Sequence, residues 1–232
     1  MDSDLPKVLH PIGKLPMISR VVQTAQELGA SRIIPVLGYK NELVQSALKD
    51  EPVECVLQLQ QLGTAHAVLQ CHDTLKKFNG NVLILYGDVP LITVETLAGL
   101  LSVHDNQNAL GTILTADLLD PTGYGRVIRD ENGDLSKIVE EKDATEEERA
   151  VNEINSGIYV FKSWTLFNLL PMVGNNNSQK EYYLPDVLNL LLEKNEKVAI
   201  EKINNFFEIQ GVNNPEQLSE MNDYYEKNAI HI

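Results

Sequence analysis

Hydrophobic side chains recur along this chain in two alternating rhythms, one at helical spacing and one as short continuous apolar runs. Residues 1–16 follow neither: Pro6, Pro11, Gly13 and Pro16 exclude a continuous helix and leave a loop. Met17, Ile18, Val21, Val22, Ala25 and Leu28 then predict a helix over 17–28, with Pro16 suited to its first turn and Gly29 to its C-terminal cap. Residues 32–37 form an apolar run of strand length, and Asn41 reads as the N-cap of a helix carrying Leu43, Val44, Ala47 and Leu48. The alternation continues with a strand at 53–58, a helix at 64–77, a strand at 81–86, a helix at 93–103 and a strand at 110–118. Residues 81–86 are apolar on both faces, the pattern of a central strand in a covered parallel sheet. A βαβ succession of this kind implies an open, doubly wound sheet.

The second half is less regular. Residues 125–129 and 135–140 flank Asp130-Glu-Asn-Gly-Asp134, where Asn132-Gly133 is a hairpin turn signal. A helical turn or two at 144–150 follows, then a strand at 154–161 and helices at 164–170 and 183–194. Strands at 198–203 and 207–212 come next, and Asn214-Pro215 opens a final helix to about residue 227. The expected fold class is α/β: a mixed, mostly parallel sheet with helices on both faces and inserted β-hairpins. No internal repeat occurs, and the polar loop 175–178 is too brief for a linker, so residues 1–232 read as a single domain.

Charge narrows the functions open to such a domain. The formal net charge is −14, and its field would repel polyphosphate backbones and anionic lipid, which argues against a nucleic-acid or membrane-surface binder. An anionic substrate must therefore be met by local cations or a metal. No basic start is followed by an apolar segment of a signal peptide, and no apolar run approaches the roughly 20 residues that span a bilayer. Cys55 and Cys71 lack C-x-x-C spacing and imply neither a disulfide framework nor a thiolate metal site, which fits a reducing cytoplasm.

Several segments carry candidate chemistry. Tyr86-Gly-Asp-Val-Pro90 puts Asp88 just past the carboxyl end of the 81–86 strand, the edge where open α/β sheets bind ligands. Asp88 there suits Mg²⁺, although it is equally a turn residue before Pro90. Asp120-Pro-Thr-Gly-Tyr-Gly-Arg126 combines glycines that admit a ligand with an arginine for an anion, or is an ordinary hairpin. Gly63 and Thr64, ahead of a helix in Gln58-Leu-Gln-Gln-Leu-Gly-Thr64, offer free N–H groups to a ligand or simply cap that helix. Lys7, Lys14 and Arg20 form a basic cluster for phosphate, or are solvated surface cations. Glu140-Glu-Lys-Asp143 reads as a solvated charge run. In Gln210-Gly-Val-Asn-Asn214, Asn213 offers a neutral oxygen ligand while Asn214 suits an N-cap.

Other chemistries lack their motifs. There is no G-x-G-x-x-G after a strand, no P-loop and no G-x-S-x-G elbow. His10, His66, His72, His104 and His231 show no zinc-type pairing, so dehydrogenase, P-loop kinase, zinc hydrolase and serine hydrolase readings fall.

Taken in order, several segments together resemble one family. They are Ser3-Asp-Leu-Pro-Lys-Val-Leu-His10, Gln58 to Thr64, Tyr86-Gly-Asp-Val-Pro-Leu91, Asp120 to Arg126, Ile138-Val-Glu-Glu-Lys-Asp-Ala-Thr145, Glu153-Ile-Asn-Ser-Gly157, Glu181-Tyr-Tyr183 and Gly211-Val-Asn-Asn214. The family is the uridylyltransferase domain of the bacterial bifunctional N-acetylglucosamine-1-phosphate enzymes. The resemblance implies a Rossmann-like nucleotide-diphospho-sugar transferase that joins UTP and N-acetylglucosamine 1-phosphate into UDP-N-acetylglucosamine, releasing pyrophosphate for cell-wall precursor synthesis in the cytoplasm. It implies Mg²⁺ held by Asp88 and Asn213, and Lys7 on substrate phosphate. Gln58, Gly63 and Thr64 would read the uracil, Tyr86 and Gly87 flank the metal ligand, and Gly125, Glu140 and Asn155 hold the sugar and its N-acetyl group. The last two matches argue against a different sugar.

Three departures qualify the resemblance. Family members carry a buried strand and a Leu-Ala-Ala-Gly-type loop ending in arginine before the S-D-L-P-K segment, where this sequence starts. The expectation is an N-terminally truncated domain, cut back in cloning or by a wrong start codon; the alternative is a catalytically impaired remnant that binds sugar nucleotides. The family's hexapeptide-repeat acetyltransferase half is not represented, so neither acetyl transfer nor β-helix trimerisation is expected of this chain. Pro185 stands where the family more often has threonine near the sugar phosphate.

Overall fold

The computed structural model describes residues 4–228; Ser3 and His231 lie outside the described residues. A 3-10 turn, Lys7–Leu9, leads into a minimal antiparallel hairpin of β1 (Pro11–Ile12) and β2 (Leu15–Pro16), so the opening loop is more ordered than its prolines predict. Then follow α1 (Met17–Glu27), β3 (Val36–Leu37), α2 (Asn41–Ala47), β4 (Val56–Leu57), α3 (Thr64–Leu69), α4 (His72–Leu75), β5 (Asn81–Ile84), α5 (Val94–Asn106) and β6 (Gly111–Asp117). The second half holds β7 (Arg126–Arg129), β8 (Leu135–Val139), α6 (Glu146–Arg149), β9 (Glu153–Lys162), α7 (Ser163–Leu169), α8 (Asp186–Glu193), β10 (Val198–Ile203) and α9 (Pro215–Asn228). The chain divides into two compact units, each with its own apolar core.

The first unit comprises described residues 4–57, 85–97 and 207–228. Helix α1 buries the predicted face, Met17, Ile18, Val21, Val22 and Ala25, and Ile18 and Val22 join Leu37, Val44 and Leu48 in one cluster. Strand pairing between β3 and β4 is parallel but only two residues long, because Pro35 has no N–H to donate. Asn41 is not the N-cap of α2. Lys40 holds that place at φ 50, and the Asn41 amide donates to Gly38 O at 3.3 Å. A second cluster of Ile12, Met17, Val212 and Met221 anchors the hairpin to α9. Gly13 N donates to Asn222 Oδ1 at 2.8 Å, and the Arg20 guanidinium lies 4.0 Å over the Tyr225 ring. The strand expected at 207–212 is instead a 3-10 turn, Phe206–Glu208, and a segment without regular secondary structure.

The second unit comprises Gln58–Ile84 and Ala98–Phe206. Its sheet runs β10-β6-β9-β7-β8, with β5 also on β9. Strand β9 is antiparallel to β5, β6 and β7, and β10 alone pairs in parallel, with β6. The expectation of a mostly parallel sheet is corrected on this point: β5 and β6 follow one another through a helix, yet both pair with a strand from much later in the chain. Strand β5 is half-buried throughout and is not the central strand. The core gathers Ile113, Val127, Tyr159 and Phe161 of the sheet under Leu166, Val187, Leu188 and Leu191 of α7 and α8. The helix expected at 64–77 breaks at Gln70–Cys71 into α3 and α4. Cys55 and Cys71 are free thiols, and burial pushes Cys71 up to about 11. Among the described residues no helix is long and apolar enough to cross a membrane.

Candidate functional site

In the first unit, Val89 N donates to Tyr86 O at 3.1 Å and closes a turn that projects Asp88. Gly87 packs in the same turn against Val8 and Ile18. Asp88 also accepts, at its backbone oxygen, a bond from Val212 N at 3.0 Å, which draws residues 210–213 alongside. Asn214 Oδ1 accepts from Gln217 N at 2.8 Å and caps α9, which leaves the preceding Asn213 side chain to face the turn. The N-cap reading of this asparagine pair therefore falls to Asn214. Lys7, carried on the 3-10 turn, completes the cluster. Its Nζ donates to Asp88 Oδ2 and, at 2.8 Å, to Asn213 Oδ1. The Lys7 side chain is 38% exposed and that of Asp88 20%, so the group is open to a ligand.

A carboxylate oxygen and an amide carbonyl oxygen thus converge on one cation. That donor set fits a hard divalent ion that takes its remaining ligands from water or phosphate oxygens. Among the described residues no three His, Cys, Asp or Glu side chains form a metal cluster. Of the predicted basic cluster, Lys7 reaches Asp88, while Arg20 is committed to Ile12 O at 2.7 Å and to Tyr225.

In the second unit, two groups of predicted residues assemble. Gly63 caps α3 at φ +112, and a Cβ there would fall 2.5 Å from Tyr182 O and 2.7 Å from Tyr182 N. Around it the two segments are stitched together by Tyr182 N to Leu62 O (2.8 Å), Ala65 N to Tyr182 O (2.9 Å) and Leu184 N to Thr64 Oγ1 (3.0 Å). One N–H expected to be free at this helix start, that of Ala65, is therefore used internally. Gln58 reaches across, its Nε2 donating to Gly63 O at 3.2 Å and lying 2.9 Å from His66 Nδ1, an association the sequence did not reveal.

The other group is Gly125, Glu140 and Asn155. Asn155 N donates to Gly125 O at 2.8 Å, and a Cβ on Gly125 would lie 3.2 Å from Glu140 Oε1 and 3.4 Å from Asn155 Cβ. Glycine keeps that floor open between a carboxylate and an amide. Burial pushes the Glu140 carboxyl above its usual range, reinforced by the carboxylates of Asp186, Asp143 and Glu181. The 140–143 run is a solvated face only in part: Lys142 and Asp143 are exposed, while Glu140 and Glu141 are half-buried and Glu141 pairs with Arg126. Arg126 is not offered to a ligand either. It is 2% exposed and is bound to Glu141, Tyr124 O and Arg149 O. Pro185 occupies the N-cap of α8.

A lysine–carboxylate–amide cluster in one unit and a group of glycine, carboxylate and amide in the other are equipment suited to a nucleotidyl transferase, and the nucleotidyl transferase family model matches residues 3–226, so the chain belongs to that family. Among its relatives is the Bifunctional protein GlmU of Bacillus licheniformis, 47% identical over 224 residues, which are 97% of this chain and 49% of that protein. The Bifunctional protein GlmU of Bacillus subtilis is 46% identical over the same shares, and that of Staphylococcus carnosus 44% identical over 99% of this chain and 52% of its own length. The chain thus spans about half the length of the curated relatives it matches. The crystal structure of UDP-glucose pyrophosphorylase complexed with UDP-glucose superposes with a TM-score of 0.76 at 18% identity, over 96% of this chain and 91% of that one. The expected Rossmann-like α/β fold class is borne out by that match.

Proposed function

We propose that residues 1–232 act as one nucleotidyltransferase domain that transfers UMP from UTP to N-acetylglucosamine 1-phosphate, giving UDP-N-acetylglucosamine and pyrophosphate. The observation that carries this reading is the convergence of Lys7, Asp88 and Asn213 from three distant stretches of chain on one cation position. An oxygen of the sugar phosphate attacks the α-phosphorus of UTP in line, a new P–O bond forms, and the α–β bridge bond breaks to release pyrophosphate. Positioning and charge neutralisation suffice, and no side-chain nucleophile is needed. Asp88 and Asn213 would hold Mg²⁺, which when bound supplies positive charge to the triphosphate. Lys7 Nζ, which bridges the same two oxygens in this structure, would yield them to the metal and turn its N–H donors to phosphate oxygens.

The remaining roles follow from donor and acceptor inventories. With Gln58 Nε2 engaged, Oε1 is left to accept from the N–H of a uracil edge, while Gly63 and Thr64 hold the adjacent backbone. Glu140 offers acceptors and Asn155 donors to the hydroxyl and acetamido groups of the sugar, over Gly125. Tyr86 and Gly87 build the turn that presents Asp88. Such chemistry belongs to cytoplasmic cell-wall precursor synthesis. Pyrophosphate release measured with UTP and a panel of sugar 1-phosphates tests the assignment: N-acetylglucosamine 1-phosphate gives the highest kcat/KM, and faster turnover of glucose 1-phosphate would overturn the choice of sugar.

Glu140 also predicts a pH dependence. Because its folded-state carboxyl is raised above the ordinary 4.5, it protonates at a higher pH than a solvated glutamate and then ceases to be a pure acceptor. The KM for the sugar phosphate is therefore flat at neutral pH and rises as the pH falls towards that raised value. Glu140→Gln has a higher KM throughout, with the acid limb removed. The stability effect has the opposite sense: folding favours the protonated carboxyl, so stability is lost as pH rises from the ordinary value through the raised one, and Glu140→Gln melts higher at neutral pH. Steady-state kinetics and thermal melts across pH 5–8 read both, and a pH-independent wild-type KM contradicts the role.

A further inference from the structure

Strand β9 contains an irregularity at Asn155, one of the residues proposed above to contact the sugar. Its pairing with β6 passes from Tyr159 opposite Ile113 to Asn155 opposite Thr115, so the Asn155–Tyr159 stretch holds extra residues that bulge from the ladder. Three side-chain bonds fix that bulge. Ser156 Oγ donates to Leu114 O at 2.6 Å and accepts from Ile158 N at 3.1 Å, and Asn155 Oδ1 accepts from Gly157 N at 2.9 Å. Gly157 sits at φ +82, which glycine adopts without strain. Tyr159, fully buried in the core, sends its hydroxyl back to the same atom and donates to Asn155 Oδ1 at 2.8 Å.

The orientation of the Asn155 amide follows from donor chemistry. A backbone N–H can only donate, so the atom facing Gly157 N is the oxygen, and the tyrosine hydroxyl must donate to it as well. Both lone pairs of Oδ1 are then taken within the strand. Nδ2 has no hydrogen-bond partner among the described residues, and Asn155 is 8% exposed. Asn155 therefore meets a ligand only as a donor, opposite the acceptor Glu140 across Gly125.

We propose that Tyr159 is a positioning residue for sugar selection: its buried hydroxyl locks the Asn155 amide so that Nδ2 alone faces the ligand and selects a sugar bearing an acceptor oxygen at that point. This rests on the reading of Asn155 as a sugar contact. Tyr159→Phe keeps the ring in the core and removes only the hydroxyl. Calorimetric titration with UDP-N-acetylglucosamine and, separately, with UDP reads the sugar contact apart from the nucleotide contact. Loss of one neutral hydrogen bond predicts that Tyr159→Phe weakens UDP-N-acetylglucosamine about three- to ten-fold while UDP binding is unchanged. Asn155→Ala weakens the sugar nucleotide at least as much, and adding Tyr159→Phe to it costs nothing further, because the hydroxyl acts through the amide.

Equal weakening of UDP and UDP-N-acetylglucosamine, or additive losses in the double variant, overturns the positioning role. Unchanged affinity in Tyr159→Phe alongside a loss in Asn155→Ala overturns it too while leaving Asn155 as a sugar contact. Unchanged affinity in Asn155→Ala removes that contact and the proposal with it. Thermal melts of each variant exclude unfolding as the cause.

Discussion

Asp88→Asn lowers the rate of pyrophosphate release by about 10³-fold, the scale expected when one preorganised charge is removed from a transfer site. The variant keeps the side-chain volume and the backbone bond from Val212 N to Asp88 O, so the turn survives. What it loses is the negative charge that holds Lys7 Nζ and would hold a divalent cation. An amide at this position leaves Asn213 Oδ1 and a neutral carbonyl as the cation's protein ligands, a set that binds Mg²⁺ poorly without a carboxylate. The rate deficit is accompanied by a much higher Mg²⁺ requirement, which a metal titration of initial rates measures. A loss of less than ten-fold, with an unchanged Mg²⁺ dependence, would show that Asp88 is only the turn residue that its place before Pro90 also permits.

Gly63→Ala produces the largest stability loss, roughly 3 kcal/mol, from left-handed backbone strain together with overpacking. At φ +112 an alanine is strained, and its Cβ would overlap Tyr182 O and N at 2.5 and 2.7 Å. The obstacle is backbone already held by the Tyr182–Leu62 and Ala65–Tyr182 bonds, so it cannot swing aside as a flexible side chain would. For a chain of this length such a loss lowers Tm by about 10 °C. Relieving the clash separates Thr64 from Leu184 and moves Gln58, so uridine-nucleotide affinity falls as well. Thermal melting by circular dichroism reads the first effect and UDP titration the second; a variant melting within about 2 °C of the parent contradicts the close approach.

The helices that bury one stripe were legible because their period is local: α1 shows in Met17, Ile18, Val21, Val22 and Ala25 alone. Sheet order was not, because it depends on which distant strand completes a ladder. Nothing in residues 81–84 or 111–117 announces that both pair with β9. The same distinction runs through the site. Asp88, Asn213 and Lys7 could be named from short motifs, and Asn214 from capping chemistry, because each carries a local reason to be where it is. Arg126 misled, since a guanidinium in a glycine loop looks available until burial commits it to Glu141. Tyr159 shows in the sequence only as a member of the 154–161 strand, and its hydroxyl acquires meaning when the bulge at Asn155-Ser-Gly157 brings it back to Asn155.

The most direct test of the central claim is Mg²⁺-dependent pyrophosphate release from UTP and N-acetylglucosamine 1-phosphate, followed for this chain and for its Asp88→Asn variant. The expected result is release that requires both substrates and Mg²⁺ and that disappears with Asp88→Asn. No release from the parent chain, with the protein folded by circular dichroism, would contradict uridylyl transfer by the Lys7, Asp88 and Asn213 cluster.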